Sequence, residues 1–115
     1  MLDEFTKRVI FIISRIPEGK VLTYGRVTAL AGKPYGARQV SWILHSLSKK
    51  HNLPWHRVIN SQGKISLPKP GYDLQKELLE SEGVIFSQND KIELKKYLWL
   101  TLLPLSPPAA PLSPS

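Results

Sequence analysis

From its N-terminus the chain repeats apolar residues at helical spacing: Phe5, Val9, Ile12, Ile13 and Ile16 fall on one face. Asp3 can cap that face and Pro17 stops it, so a helix is expected over residues 3–16. After the turn Glu18-Gly19-Lys20, Thr23 is a second N-cap, opening a short helix from Tyr24 to Ala31 that Gly32 closes. Lys33-Pro34-Tyr35-Gly36 is too punctuated to be helical. A further helix is expected from about Ala37 to Ser48, burying Val40, Leu44 and Leu47. Two helices joined by so short a glycine-containing connection form a helix-turn-helix.

The second half is more broken. Trp55 to Ile59 leads through Asn60-Ser61-Gln62-Gly63 into Lys64-Ile65-Ser66, the pattern of a β-hairpin. Leu67 to Gly71, with Pro68 and Pro70, reads as loop. Tyr72 to Glu82 reads as a helix with Leu74 and Leu78 inward, ended by Gly83. Short extended segments, Val84-Ile85-Phe86 and Ile92-Glu93-Leu94, flank the turn Gln88-Asn89-Asp90, and Tyr97 and Trp99 are expected to pack back on the body. The pattern predicts one mainly α domain with a small β-hairpin over residues 1–100. Residues 101–115 are expected to be a disordered Pro-rich tail, because Pro, Ser, Ala and Leu follow there without periodicity.

Charge narrows the function. The formal net charge is +7, and no acidic residue lies between Glu18 and Asp73. Lys20, Arg26, Lys33, Arg38, Lys49, Lys50, Arg57, Lys64 and Lys69 fall in that interval. A merely soluble surface mixes both signs, so one-signed charge points to a polyanion, and nucleic acid is the expected partner. The absence of cysteine removes disulfides, thiolate catalysis and most structural zinc sites. His45, His51 and His56 match no common metal-ligand spacing, so neither metal nor cofactor is expected. Residues 98–115 lack charge but are broken by five prolines, which argues against a membrane span. Asp3 and Glu4 stand where a secretory signal would be basic, so a cytoplasmic location is expected, or a nuclear one in a eukaryote.

Three blocks and a weaker fourth carry a resemblance over roughly residues 5 to 99. They are Gly19-Lys20-Val21-Leu22-Thr23-Tyr24-Gly25, Ala37-Arg38-Gln39-Val40, Pro54-Trp55-His56-Arg57-Val58-Ile59-Asn60-Ser61-Gln62-Gly63, and Leu78-Leu79-Glu80-Ser81-Glu82-Gly83. In that order and spacing they resemble the O6-alkylguanine-DNA alkyltransferases, whose active-site peptide reads Pro-Cys-His-Arg-Val. Here Trp55 takes the place of the cysteine that accepts the alkyl group. Indole is a poor nucleophile where a histidine-activated thiolate is a good one, so the chain is identified as an alkyltransferase-like member that keeps the scaffold without the transfer. The resemblance implies the alkyltransferase C-terminal-domain fold with its winged-helix-like helix-turn-helix.

It also implies roles. Arg38 matches the arginine that enters the base stack and fills the gap left by an extruded guanine; the plainer reading is an exposed helix arginine. Tyr24 matches the tyrosine that presses on the phosphate beside the target, against the plainer reading of a core tyrosine. Thr23, Gln39 and Ser41 complete the expected DNA surface. Trp55, with Pro54, Val58, Tyr24 and Pro68, is expected to line the lesion pocket, where an indole wall can stack on a base; it could equally pack as a core residue. His56 and Glu82 match the relay that activates the missing thiol, Asn60 matches the asparagine that bridges the active-site turn to the helix-turn-helix, and with Arg57 all three are expected to form a structural hydrogen-bond network. The second helix departs from the family at Ser41-Trp42-Ile43, where members usually carry glycine and a small residue at 41 and 43.

The resulting expectation is a monomeric, non-enzymatic sensor of duplex DNA containing O6-alkylguanine, acting through the minor groove and passing the site to nucleotide-excision repair proteins. Two other classes stay open. One is an enzyme acting on the flipped base through His56 and Glu82. The other is a sequence-specific helix-turn-helix regulator, which would read the major groove, usually as a dimer.

Overall fold

A computed structural model of the chain describes residues 2–33 and 35–100. The helices are α1 (Glu4–Ser14), α2 (Tyr24–Leu30), α3 (Ala37–His51), α4 (Gly71–Ser81) and the single-turn α5 (Leu94–Tyr97). Two short strands, β1 (Leu22–Thr23) and β2 (Val58–Ile59), lie among them, and a 3-10 turn at Trp55–Arg57 precedes β2. The expectation for residues 101–115 lies outside the described residues.

Local chemistry sets the helix starts. Thr6 N–H donates to Asp3 Oδ1 at 2.8 Å, and Arg26 N–H donates to Thr23 Oγ1 at 3.1 Å, so both expected N-caps form. α1 buries Phe5, Val9, Ile12 and Ile13 against α2 and α3. α2 and α3 make the helix-turn-helix, and Gly36 allows their close approach. A Cβ there would collide with Thr28 Oγ1 and come within 2.9 Å of Phe5.

The expected β-hairpin does not form. β2 instead pairs in parallel with β1, in the register Leu22↔Val58 and Thr23↔Ile59. Val58 and Ile59 are both buried, so this strand has no solvent face. A parallel pair between two packed layers suits it better than a half-exposed hairpin. Only the turn of the hairpin survives: Asn60 N–H donates to Lys64 O at 3.1 Å, while Asn60 Oδ1 accepts from the N–H groups of Gln62 and Lys64.

The strand pair divides the interior. Leu22 and Val58 belong to the cluster built on α1, α2 and α3. Their neighbours Val21 and Ile59 point the other way, into a second cluster with Leu79, Val84, Ile92 and Tyr97. α4 lies over this second cluster in a different phase from the one expected. Leu74 is half exposed, whereas Gln75 and Leu79 are buried. Gln75 takes the inward position because its Nε2 donates to His56 O at 3.0 Å and Val58 O at 2.9 Å. Those carbonyls would otherwise lose water without replacement. Tyr97 and Trp99 do pack back, and Val21 exchanges backbone hydrogen bonds with both. No described helix is long and apolar enough to cross a membrane.

Candidate nucleic-acid interface

α3 runs to His51, beyond its expected end at Ser48, and Asn52 terminates it in the left-handed conformation at φ 51°. Leu53, buried, then donates its N–H to Ser48 O at 2.9 Å. This reversal turns Pro54 and Trp55 back along α3. Trp55 therefore faces α3, with Arg38 in its first turn, across an open cavity of about 820 Å3.

Tyr24 comes to this cavity from the start of α2, and Arg38, Ser41, Trp42 and Lys49 come from one face of α3. Leu67 and Gln75 line it with Trp55. Arg38 is exposed and makes no ion pair among the described residues. Among them no carboxylate lines the cavity, whereas Arg38 and Lys49 do. The surface joins a flat aromatic wall to fixed positive charge, a combination suited to a base and its phosphate.

Behind Trp55 lies a closed ionic network. Glu82, at the C-terminal end of α4, accepts from His56 Nε2 at 2.8 Å and from Gly19 N–H at 3.0 Å. It also accepts from Arg57, through Nε at 3.0 Å and Nη2 at 2.6 Å. Arg57 Nη1 continues to Ile16 O at 2.7 Å. Burial by itself would push the Glu82 carboxyl up. The Arg57 guanidinium, the Gly19 N–H and His56 outweigh it and hold the group down at about 2. Such a carboxylate is a poor base. The network instead ties the α1 exit, the Gly19 turn, the Trp55 turn and α4 into one support.

The expected site residues divide accordingly. Tyr24, Arg38, Ser41 and Trp55 meet at the cavity, and His56, Arg57 and Glu82 join in the network. Asn60 does not join them, because its side-chain oxygen is committed to its own turn. Thr23, expected at the DNA surface, is buried with its hydroxyl spent on the α2 cap. Val58, expected in the pocket, is buried in the first core cluster. Pro54 and Pro68, expected in the pocket, do not line the cavity, and Gln39, expected at the DNA surface, is exposed on α3 outside it. Ile43 is likewise a core residue, turned away from the cavity. Leu67 and Gln75 join the cavity with no motif to mark them, and Lys49 joins it as one of the basic residues of the acid-free interval. For Gln75 the available signal was its spacing four residues before Leu79, on one helix face.

A helix-turn-helix backed by this turn and network defines a class. The family model of the 6-O-methylguanine DNA methyltransferase DNA-binding domain matches residues 4–84, and the chain belongs to that family. Within it, the chain is 48% identical over 98 residues to the DNA base-flipping protein of Vibrio parahaemolyticus, spanning 85% of this chain and 98% of that protein. It is 41% identical over 104 residues to alkyltransferase-like protein 1 of Schizosaccharomyces pombe, spanning 85% and 96%. The fold superposes on the crystal structure of S. pombe Atl1 in complex with damaged DNA containing O6-carboxymethylguanine. There the TM-score is 0.78 and the identity 40%, over 88% of this chain and 99% of that one. These three matches take in nearly the whole of each relative.

Proposed function

We propose that the protein is a non-enzymatic DNA-damage sensor that acts as a monomer on duplex DNA. α3 enters the minor groove, Arg38 occupies the vacancy in the base stack, and Tyr24 presses on the backbone beside it. The extruded O6-alkylguanine is received in the cavity and stacks on Trp55. Unstacking a base costs a few kcal/mol, which stacking on indole and guanidinium offsets. The bound site is then passed to nucleotide-excision repair, since the chain has no thiol to take the alkyl substituent. The reading rests on one observation above all: an indole, with no thiol anywhere in the chain, walls the cavity that Tyr24 and Arg38 border.

Glu82 is held at about 2 and already accepts from Gly19, His56 and Arg57. That counts against hydrolysis through His56 and Glu82. The test is competition between duplexes carrying O6-methylguanine or guanine, at several stated salt concentrations, because a basic protein binds any DNA at low ionic strength. Preference for the lesion duplex, with the methyl group still present on the recovered strand by mass spectrometry, is the expected result. Equal affinity for the two duplexes overturns the sensor, and loss of the methyl group or the base overturns its non-enzymatic character.

A further inference from the structure

Trp42 stands one helical turn beyond Arg38 on α3 and borders the same cavity. It is 66% exposed and belongs to neither core cluster, so it takes no part in holding the fold. A single exposed apolar side chain is ordinary on any surface. This one, however, has an aromatic partner. The His45 ring stacks on it with centroids 6.2 Å apart and planes 23° apart, which favours this rotamer of the indole over the others open to it. The result is a propped planar apolar side chain at the rim of the cavity, on the helix face that carries Arg38.

We propose that Trp42 is a second insertion residue. While Arg38 fills the step vacated by the extruded base, the Trp42 indole enters a nearby step from the minor groove and stacks there. This rests on the sensor reading above and adds to it a residue that shapes the DNA. Four residues of helix advance about 6 Å, and successive base pairs are about 3.4 Å apart. With α3 lying along the groove, Arg38 and Trp42 therefore reach steps one or two pairs apart without any change in the helix. Apolar wedges are what minor-groove proteins use to part and kink base steps, and an indole face stacks on any base. His45 acts as a positioning residue, fixing the plane of the indole before DNA arrives.

The experiment uses the intact chain and duplexes bearing O6-methylguanine or guanine, with 5-bromouracil placed one or two pairs to either side. Long-wavelength irradiation crosslinks the bromouracil to an aromatic ring stacked on it, and mass spectrometry of the digested complex locates the bond. The expected crosslink is to Trp42. Trp42→Ala should lose about fivefold to a hundredfold in affinity for the lesion duplex, the range seen when base–aromatic stacking is removed. Trp42→Phe should recover most of it, and His45→Ala should reduce the crosslink yield. Absence of a Trp42 crosslink, or unchanged affinity in Trp42→Ala, overturns the inference. The crosslink is read on both duplexes, so a wild-type protein that prefers the lesion but shows no bond to Trp42 defeats this proposal alone. A protein with no lesion preference defeats the sensor reading while the crosslink still decides the role of Trp42.

Discussion

Arg57 grips Glu82 through two of its nitrogens, Nε at 3.0 Å and Nη2 at 2.6 Å, with both side chains nearly buried. The planar fork meets the carboxylate in the geometry that makes such pairs strong and directional. Removing one partner strands the other charge away from water. Arg57→Ala should therefore cost about 3 kcal/mol of unfolding free energy, read from the midpoint and slope of urea denaturation. A cost under ~1 kcal/mol would mean that the pair holds little of the fold together.

The same carboxylate sets an acid limit. Glu82 is held at about 2, against an ordinary 4.5. As pH falls the unfolded chain takes up this proton first, so the stabilisation is complete above the ordinary value and drains away toward 2. The amount at stake is on the order of 3 kcal/mol. Denaturation midpoints measured across that interval should fall for the wild type and fall less for Glu82→Gln, after allowance for the other carboxylates.

At the cavity, Arg38→Ala should weaken binding to the lesion duplex strongly, because the stack vacancy loses its occupant, and binding to the normal duplex only by the loss of one positive charge. Trp55→Ala should act differently: it should narrow the gap between O6-methylguanine and guanine duplexes by about 1–3 kcal/mol while leaving binding to normal DNA nearly unchanged. Anisotropy titrations with both duplexes separate the two effects. If wild type and Trp55→Ala discriminate equally, the indole does not stack on the base.

Gln75 offers a test of the support beneath the site. Gln75→Leu removes donors from two backbone carbonyls, His56 O and Val58 O, at a cost of about 1–3 kcal/mol. Because those carbonyls flank Arg57 in the turn that carries Trp55, lesion discrimination should fall as well as stability. Thermal melts and the same titrations report the two quantities. A stability loss with full discrimination would show that the turn keeps its shape without the clamp.

Gly36→Ala should destabilise by about 1–3 kcal/mol, since the added methyl collides with Thr28 and crowds Phe5 where α2 meets α3. Chemical denaturation checks it, and a neutral result would mean that the helix pair can spread at little cost.

The readable parts of the sequence were the local ones. Asp3 and Thr23 announce their helices because a cap and its apolar spacing lie within a few residues, and both caps form. The hairpin reading failed because the partner of Val58–Ile59 is Leu22–Thr23, far away in the chain, and nothing beside Val58 names it. The phase of α4 departs from its sequence pattern because Leu74 and Leu78 are more apolar than Gln75, while the two carbonyls that draw Gln75 inward come together only in three dimensions. His56, Arg57 and Glu82 were legible through resemblance, but the Gly19 N–H and Ile16 carbonyl that complete their network belong to the backbone, which residue identity does not advertise. Trp42 was visible as a departure; that it shares a cavity with Trp55 was not.

The parallel ladder has one more effect. Thr23 directly precedes Tyr24, and Ile59 lies just past the turn that bears Trp55, so the pairing Thr23↔Ile59 gears those two aromatic side chains to a common frame. Neither can travel far without dragging the seam between two cores. On the proposed reading, a base entering the cavity meets two walls tied to one seam, so the adjustment falls on the duplex.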